Sequence, residues 1–345
     1  MTKIMNLLDK KMNSNLLMLK FILYLILFIS TMMTICSSSW FNAWMAMEIN
    51  LVIFIPLMMN FSKKKISNSM MMYFIIQVGA SSMMIFFIIL NKLQLNFNQS
   101  YIYNLLIQSS LLIKLGAPPF HWWMPKIFLN MNWMNCFIFI TWQKIAPIFL
   151  LISMKNNYMI YLTMLLSVIS GAIMGMNQTM LKMIMIYSSI NHLGWMLMLM
   201  LINKNILLIY FMSYSLINLL ICLMMSKKKY LYINELFNNN NQNMYAKIIL
   251  MTLFLSLSGM PPFLGFLPKF LTLMQMIENN LILESTLFII MAVISLSFYI
   301  NPLLSMFIYK KLNFKTNFKN FKNFNIIFLM MLINIMIILI ILSFS

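Results

Sequence analysis

Residues 111–125 read LLIKLGAPPFHWWMP. They sit in an apolar run, about 101–131, that is longer than one membrane crossing requires. Lys114 stands in the middle of this run, and Gly116-Ala-Pro-Pro119 follows two residues later. Proline removes a backbone donor and clashes with the turn before it. A helix that enters Gly-x-Pro-Pro must stop, so the chain goes on as a second, discontinuous segment. In hydrocarbon such a break survives only inside protein or beside a wet cavity, because nothing else satisfies the freed carbonyls. The same construction returns at Gly259-Met-Pro-Pro262, inside a second overlong run at about 245–277. Paired breaks in two parts of one chain point to inverted repeats around a midplane site.

The rest of the chain fits that reading. Of 345 residues, 62% are hydrophobic and 8% charged, against about 25% charged in soluble domains. A soluble fold of this size could not hide so much apolar surface. The runs are continuous rather than alternating, which excludes barrel strands and leaves an all-α polytopic membrane protein. Eleven segments are expected, at about 20–38, 41–60, 70–90, 101–131, 134–154, 157–176, 180–202, 205–225, 245–277, 284–309 and 324–344. Two of them are discontinuous. All belong to one membrane domain, 1–345, with a core at about 41–277 and C-terminal helices at about 284–345.

The formal charge is +19, carried by lysine alone, since the chain has no arginine. The lysines flank the spans, so the charge speaks for membrane orientation and against a nucleic-acid partner. With eleven crossings, seventeen lysines fall on the N-terminal face and three (Lys92, Lys155, Lys204) on the other, beside Glu278 and Glu284. An even number of crossings would scramble this asymmetry. In a mitochondrion the lysine-rich face is the matrix, which puts the C-terminus in the intermembrane space. The N-terminal MTKIMNLLDKKMNSN leads into a span too long for a signal core. Cys36, Cys136 and Cys222 match no metal spacing. Met (42) and Phe (29) abound while Gly is 7, the signature of an A/T-biased genome such as an organelle's. Met replaces Leu at nearly equal volume, so a core tolerates the bias.

Four charged residues lie well inside spans: Glu48 in WMAMEINLVIF, Lys114, Lys144 in ITWQKIAPIF, and Lys269 in LGFLPKFLT. An ammonium at the centre of a span costs about 2.5–3.5 kcal/mol on insertion scales. Snorkelling to an interface suits Lys126, near the end of its segment. It suits Lys114 and Lys144 poorly, since both have apolar neighbours on either side. Lys114 precedes one break and Lys269 follows the other, where freed carbonyls and cavity water can serve them. Desolvation weakens a buried ammonium's hold on its proton, which fits a group that accepts and releases one per cycle. Glu48 is the expected negative partner of Lys114 or of another buried lysine. His192 (SSINHLGWM) is a candidate for the relay, and His121 (APPFHWW) a weaker one. No carboxylate lies near either histidine in sequence. The tryptophans read mainly as interfacial anchors. Ser188, Ser189 and Asn191 could line a wet path or an interhelical contact.

Several stretches resemble the subunit 2 family of mitochondrially encoded membrane subunits of respiratory complex I, its insect members above all. They are SSSWFNAWMAMEINLVIFIPLM, LLIKLGAPPFHWWMP, WMNCFIFITWQKIAP, GAIMGMNQT, YSSINHLGWM and LSLSGMPPFLGFLPKF, in family order from about residue 37 to 270. The resemblance implies an antiporter-like core of two inverted five-helix repeats, each with one broken helix. It places the end of the first repeat and the connecting core at 70–203, and lacks the three extra N-terminal helices of bacterial relatives. It implies that Glu48 is the first-repeat glutamate, Lys114 its partner, Lys144 and His192 the central-axis pair and Lys269 the second broken-helix lysine. It also implies proton translocation coupled to quinone reduction in the mitochondrial inner membrane. No cofactor is expected in this chain; NADH, FMN, Fe–S clusters and ubiquinone would be held elsewhere in the complex. The implied partners are lipids and other membrane-arm subunits, including the antiporter-like subunit 4 and the small subunit 4L. Lys126 departs from the family, which often has an acidic or neutral residue there. Two rivals stay open: a subunit of a cation/proton antiporter, and a structural spacer whose buried charges only fix packing.

Overall fold

A computed structural model describes residues 2–59, 64–93, 97–154, 158–228, 230–238 and 244–308. Among them the chain is helical apart from turns and one antiparallel bridge, Met180 to Tyr232. The helices are α1 (Thr2–Cys36), α2 (Trp40–Met58), α3 (Lys64–Leu93), α4 (Phe97–Leu115), α5 (Trp123–Asn130), α6 (Trp133–Ile140) and α7 (Trp142–Ile152). There follow α8 (Tyr158–Gly175), α9 (Leu181–Ile202), α10 (Lys204–Lys228), α11 (Glu235–Asn238), α12 (Met244–Ser258), α13 (Phe266–Glu278) and α14 (Ile282–Ile308). Eight stretches among the described residues are long and apolar enough to cross a membrane. The broken pairs α4–α5 and α12–α13 add two crossings. The segment expected at 324–344 and the lysine-rich stretch 310–323 lie outside the described residues.

Both breaks are built alike. Gly116 has φ +66° and Gly259 φ +81°, the left-handed conformation that glycine adopts without strain. Gly116 N–H donates to Ile113 O (3.0 Å) and Ala117 N–H to Leu112 O (3.0 Å). Gly259 N–H donates to Ser256 O (3.1 Å) and Met260 N–H to Leu255 O (3.3 Å). This pair of bonds closes a helix C-terminus around a glycine, and here it is used twice. A turn from Phe120 N–H to Ala117 O, matched by Phe263 N–H to Met260 O, completes each break. The first break lies on a helix running from the lysine-poor to the lysine-rich face, the second on one running back. That is the inversion expected of the two repeats.

One feature was not foreseen. The segment expected to be continuous at 134–154 is bent at Thr141 (φ −117°, ψ −70°), which separates α6 from α7. Pro147, six residues on, has no N–H for the carbonyl of Gln143 and crowds that turn. The bend and the missing bond bracket Lys144.

Helix α9 is the axis of the fold, with 94% of its membrane-length window buried, against 22% for α1. It packs most closely on α8, where Gly171 lets the backbones approach. A Cβ at Gly171 would lie 2.5 Å from Asn191 N, a close approach typical of small residues between membrane helices. At the lysine-rich face, Leu181 N–H donates to Leu231 O (2.9 Å) and Ile233 N–H to Thr179 O (3.0 Å), pinning the α10–α11 connection to the start of α9. Lys182 donates to Leu129 O and Met131 O (2.9 and 2.5 Å), satisfying carbonyls at the end of α5. The outer faces of α1 to α3 present Phe21, Ile22, Val52 and Ile75, as a lipid-facing surface requires.

Gly171→Leu should force α8 away from α9. The expected result is aggregated protein at the void volume when the detergent-extracted protein is run by size exclusion. Wild-type elution would contradict the packing account.

Candidate functional site

Among the described residues four lysines are buried: Lys182, which serves the carbonyls at the end of α5, and three placed deeper within their spans. Lys144 is 2% exposed, Lys269 5% and Lys114 9%. Each is held by a different element. Lys269, on α13, donates to Ser258 O (2.8 Å) and Leu257 O (3.3 Å), in the last turn of α12 before the second break. These are the carbonyls that the break takes out of the helix ladder, and the negative end of the α12 dipole adds to their pull. The Lys269 ammonium also lies 5.8 Å from the Trp195 ring centroid. Lys144, just past the α6–α7 bend, donates to Ser189 O of α9 (2.9 Å) and stands 5.8 Å from the Tyr214 ring centroid. Bonds from a charged donor contribute about 1.5–3 kcal/mol each, enough to offset most of the burial cost of these two ammonium groups.

Lys114 is the least well held. On the last turn of α4, its Nζ has Met47 Sδ at 4.0 Å, a weak acceptor. The sequence suggested a direct pair with Glu48. No such pair forms within 4.0 Å, although the Glu48 carboxylate acts on Lys114 through space. Glu48 Oε1 is buried without a hydrogen-bond partner. Buried polar groups are nearly always satisfied, by water where protein offers nothing. The geometry therefore makes Glu48–Lys114 an electrostatic couple across a gap.

Lys114 also borders a cavity. Asn50, Gln77, Lys114, Gln143 and Lys144 line it, together with Tyr73 and Trp123. It has about 30 Å³ of room for water, enough for roughly two molecules at about 10–15 Å³ each. Gln143 donates to Asn50 Oδ1 (3.0 Å) and Gln77 to the Lys114 carbonyl (3.4 Å). A polar chamber thus joins two lysines that are thirty residues apart in sequence.

His192 links the remaining pair. Its Nδ1 and the Tyr210 hydroxyl are 2.7 Å apart. Lys144 and Lys269 both act electrostatically on its ring, and the Leu257 carbonyl that Lys269 reaches also faces it. Its Nε2 has no partner within hydrogen-bond distance, nor do the amide atoms of neighbouring Asn191. Glu48 thus acts on Lys114, Lys114 and Lys144 share a cavity, and His192 feels both Lys144 and Lys269. His121 stands apart from this row. Half-buried on the turn after the first break, its Nε2 lies 3.3 Å from Met174 Sδ.

The sequence misjudged some neighbours. Trp123 and Trp195 were read with the interfacial tryptophans, yet each is 1% exposed, one at the cavity and the other beneath Lys269. The two breaks also match over eleven residues, GAPPFHWWMPK at 116–126 and GMPPFLGFLPK at 259–269, identical at six positions. Lys126 and Lys269 therefore hold the same place in the motif. The structure sends them opposite ways. Lys126 is exposed, 5.6 Å from the Trp122 ring centroid, as snorkelling requires. In the first break a Cβ on Gly116 would meet Met124 Sδ at 2.5 Å; in the second, a Cβ on Gly259 would meet Lys269 Cδ at 2.7 Å. Methionine fills the space beside one glycine that the lysine stem fills beside the other. Among the described residues no three His, Cys, Asp or Glu side chains cluster as a metal site would require.

Comparison with known proteins shows the family and the fold. A family model described as NADH:quinone oxidoreductase/Mrp antiporter, transmembrane, matches residues 37–295. The NADH-ubiquinone oxidoreductase chain 2 of Anopheles gambiae is 40% identical over 315 residues, 89% of each chain. That of Aedes aegypti is 41% identical over 313 residues, again 89% of each. Among solved structures, a chain of respiratory complex I from Thermus thermophilus superposes with TM-score 0.75 at 19% identity, over 83% of this chain and 70% of that one.

Gly259→Ala should strain the second break and push the Lys269 stem off its carbonyls. The expected cost is about 1–3 kcal/mol, seen as a Tm several degrees lower. Gly79→Ala, where a Cβ meets nothing within 4 Å, should leave Tm unchanged or raise it. Equal Tm values for the two variants would refute the account of the break.

Proposed function

The chain belongs to the NADH:quinone oxidoreductase/Mrp antiporter family of membrane subunits, and from that premise we propose that Glu48, Lys114, Lys144, His192 and Lys269 form a lateral proton relay. The protein is a core membrane-arm subunit of mitochondrial NADH:ubiquinone oxidoreductase, complex I, taking part in proton translocation. It is a multi-pass protein of the inner membrane. The observation that carries the relay is the row of three buried lysines joined by a polar chamber on one side and a histidine on the other.

Coupling follows from proximity in a medium of low dielectric. Two unit charges roughly 10 Å apart interact by about 1.7 kcal/mol at an effective dielectric of about 20. That is more than tenfold in a protonation equilibrium. A proton gained or lost at one station therefore biases the next without contact. Lys114, with only Met47 Sδ and the field of Glu48 to hold it, responds most readily to a change at Glu48. Lys144 sees Lys114 across the cavity and His192 on α9, the helix it already contacts at Ser189 O. Lys269, with two carbonyls, is the most firmly held end of the row. The amides of Asn50, Gln77 and Gln143 and the Tyr210 hydroxyl orient water and side chains between stations.

The energy for transport comes from quinone reduction in other subunits, which on this reading also hold the FMN, Fe–S clusters and ubiquinone. The antiporter-like subunit 4 and the small subunit 4L are the proposed neighbours. The lysine-rich face lies toward the matrix, so a protease site added at the N-terminus should resist digestion in mitoplasts. Cleavage there would reverse the assigned orientation.

The relay is tested by Lys144→Met, which keeps the stem and removes the charge. The assembled complex is expected to lose most of its proton pumping and of its coupled NADH:ubiquinone activity. Assembly with normal pumping would favour the spacer reading instead.

A further inference from the structure

Lys182 is the buried lysine that the row of charges leaves over. It stands in the first turn of α9, at the lysine-rich face, where a lysine can reach water by snorkelling. It turns inward instead and is 7% exposed. Its ammonium donates to Leu129 O (2.9 Å) and Met131 O (2.5 Å), at the end of α5 and just before α6. It also lies 5.7 Å from the ring centroid of Trp133, the first residue of α6. The base of α6 is held in two further directions. Trp133 Nε1 donates to Tyr230 O (3.2 Å), and Asn135 Nδ2 donates to Leu57 O near the end of α2 (2.7 Å). A helix of eight residues is thereby tied at its base to α9, to the segment after α10 and to α2.

Lys182 and Ser189 are seven residues apart on α9. Seven residues make nearly two turns, so both lie on one face, about 10 Å apart along the axis. The α6–α7 segment meets that face at both ends. Its base receives Lys182 from α9, and beyond the bend at Thr141 its Lys144 donates back to Ser189 O (2.9 Å). Among the described residues α9 packs against α5, α8 and α10 but not along α7. Lys144 therefore reaches Ser189 O on the length of its stem, from a half-helix that the bend sets off from α6. Where Lys144 arrives depends on where the base of α6 is fixed. A misplacement of about 1 Å at a proton-transfer site is enough to cost much of its rate.

We propose that Lys182 is a positioning residue for Lys144: by clamping the α5–α6 turn to the start of α9 it fixes the base of α6, and through the bend at Thr141 it sets Lys144 on Ser189 O. This role rests on the relay reading for its purpose, since Lys144 is the group it serves. The placement of Lys144 can be read independently of that purpose.

The test uses the assembled complex carrying Lys182→Met, which keeps a stem and removes the donors. Protons pumped per NADH oxidised are expected to fall roughly threefold or more, and the pH of half-maximal pumping to move by about half a unit or more. Lys182→Arg, whose guanidinium still offers donors to both carbonyls, should pump within about twofold of the parent and keep its pH profile. If Lys182→Met does not assemble, Lys182→Gln, which keeps a donor for one carbonyl, takes its place with the same readings. A map of the variant complex separates the clamp from the relay. Lys144 Nζ is expected beyond hydrogen-bond reach of Ser189 O, and an unmoved Lys144 overturns the proposal whatever the pumping. A displaced Lys144 with lost pumping supports both readings. A displaced Lys144 with parental pumping and pH profile keeps the clamp and refutes the relay.

Discussion

The structure turns on how an ammonium group can sit in the middle of a membrane protein without a carboxylate touching it. Each such group costs a few kcal/mol, which carbonyl oxygens offset. A helix carbonyl keeps a second lone pair after its ladder bond, and breaking the helix frees the first as well. At Lys269 the break in α12 supplies Ser258 O and Leu257 O directly. At Lys144 the acceptor comes from a neighbour: the ammonium donates to Ser189 O in the continuous helix α9. At Lys114 the break has closed on itself, through Gly116 and Ala117, and the lysine is left with a thioether, a cavity and a distant carboxylate. Of the two Gly-x-Pro-Pro breaks, the second thus serves its own lysine directly and the first does not.

This ranking of support gives the row a direction. The best-solvated lysine ends it, and the least-solvated one stands nearest the only membrane-embedded carboxylate among the described residues. A row of equally held charges would have no weak point at which an outside change could act. Here the weak point is Lys114, which faces the polar chamber.

Much of this was legible in the sequence. Long apolar runs and lysine-flanked ends declared the membrane, and the two Gly-x-Pro-Pro breaks declared discontinuous helices. Glu48, Lys114, Lys144, Lys269 and His192 stood out because charge and imidazole are expensive where they occur. What stayed hidden depended on which way side chains turn. Nothing in composition separates Trp195, buried under Lys269, from a tryptophan at an interface. The bend at Thr141 carries only Pro147 as a signal, six residues away. Lys126 and Lys269 occupy one motif position, yet Met124 fills the place beside Gly116 that the Lys269 stem fills beside Gly259, and one lysine is exposed while the other is buried. The missing contact between Glu48 and Lys114 likewise belongs to three dimensions, since spacing along α2 and α4 says nothing about the distance between them.

The central claim is that water and polar side chains join the buried charges into one row. A map of the assembled complex at a resolution that shows ordered water tests it most directly. The account predicts water in the chamber of Asn50, Gln77 and Gln143, and further water at Asn191 and His192 Nε2, bridging Lys114 to Lys144 and Lys144 to Lys269 by unbroken hydrogen bonds in at least one state of turnover. Dry, apolar separations between these residues in every state would contradict it.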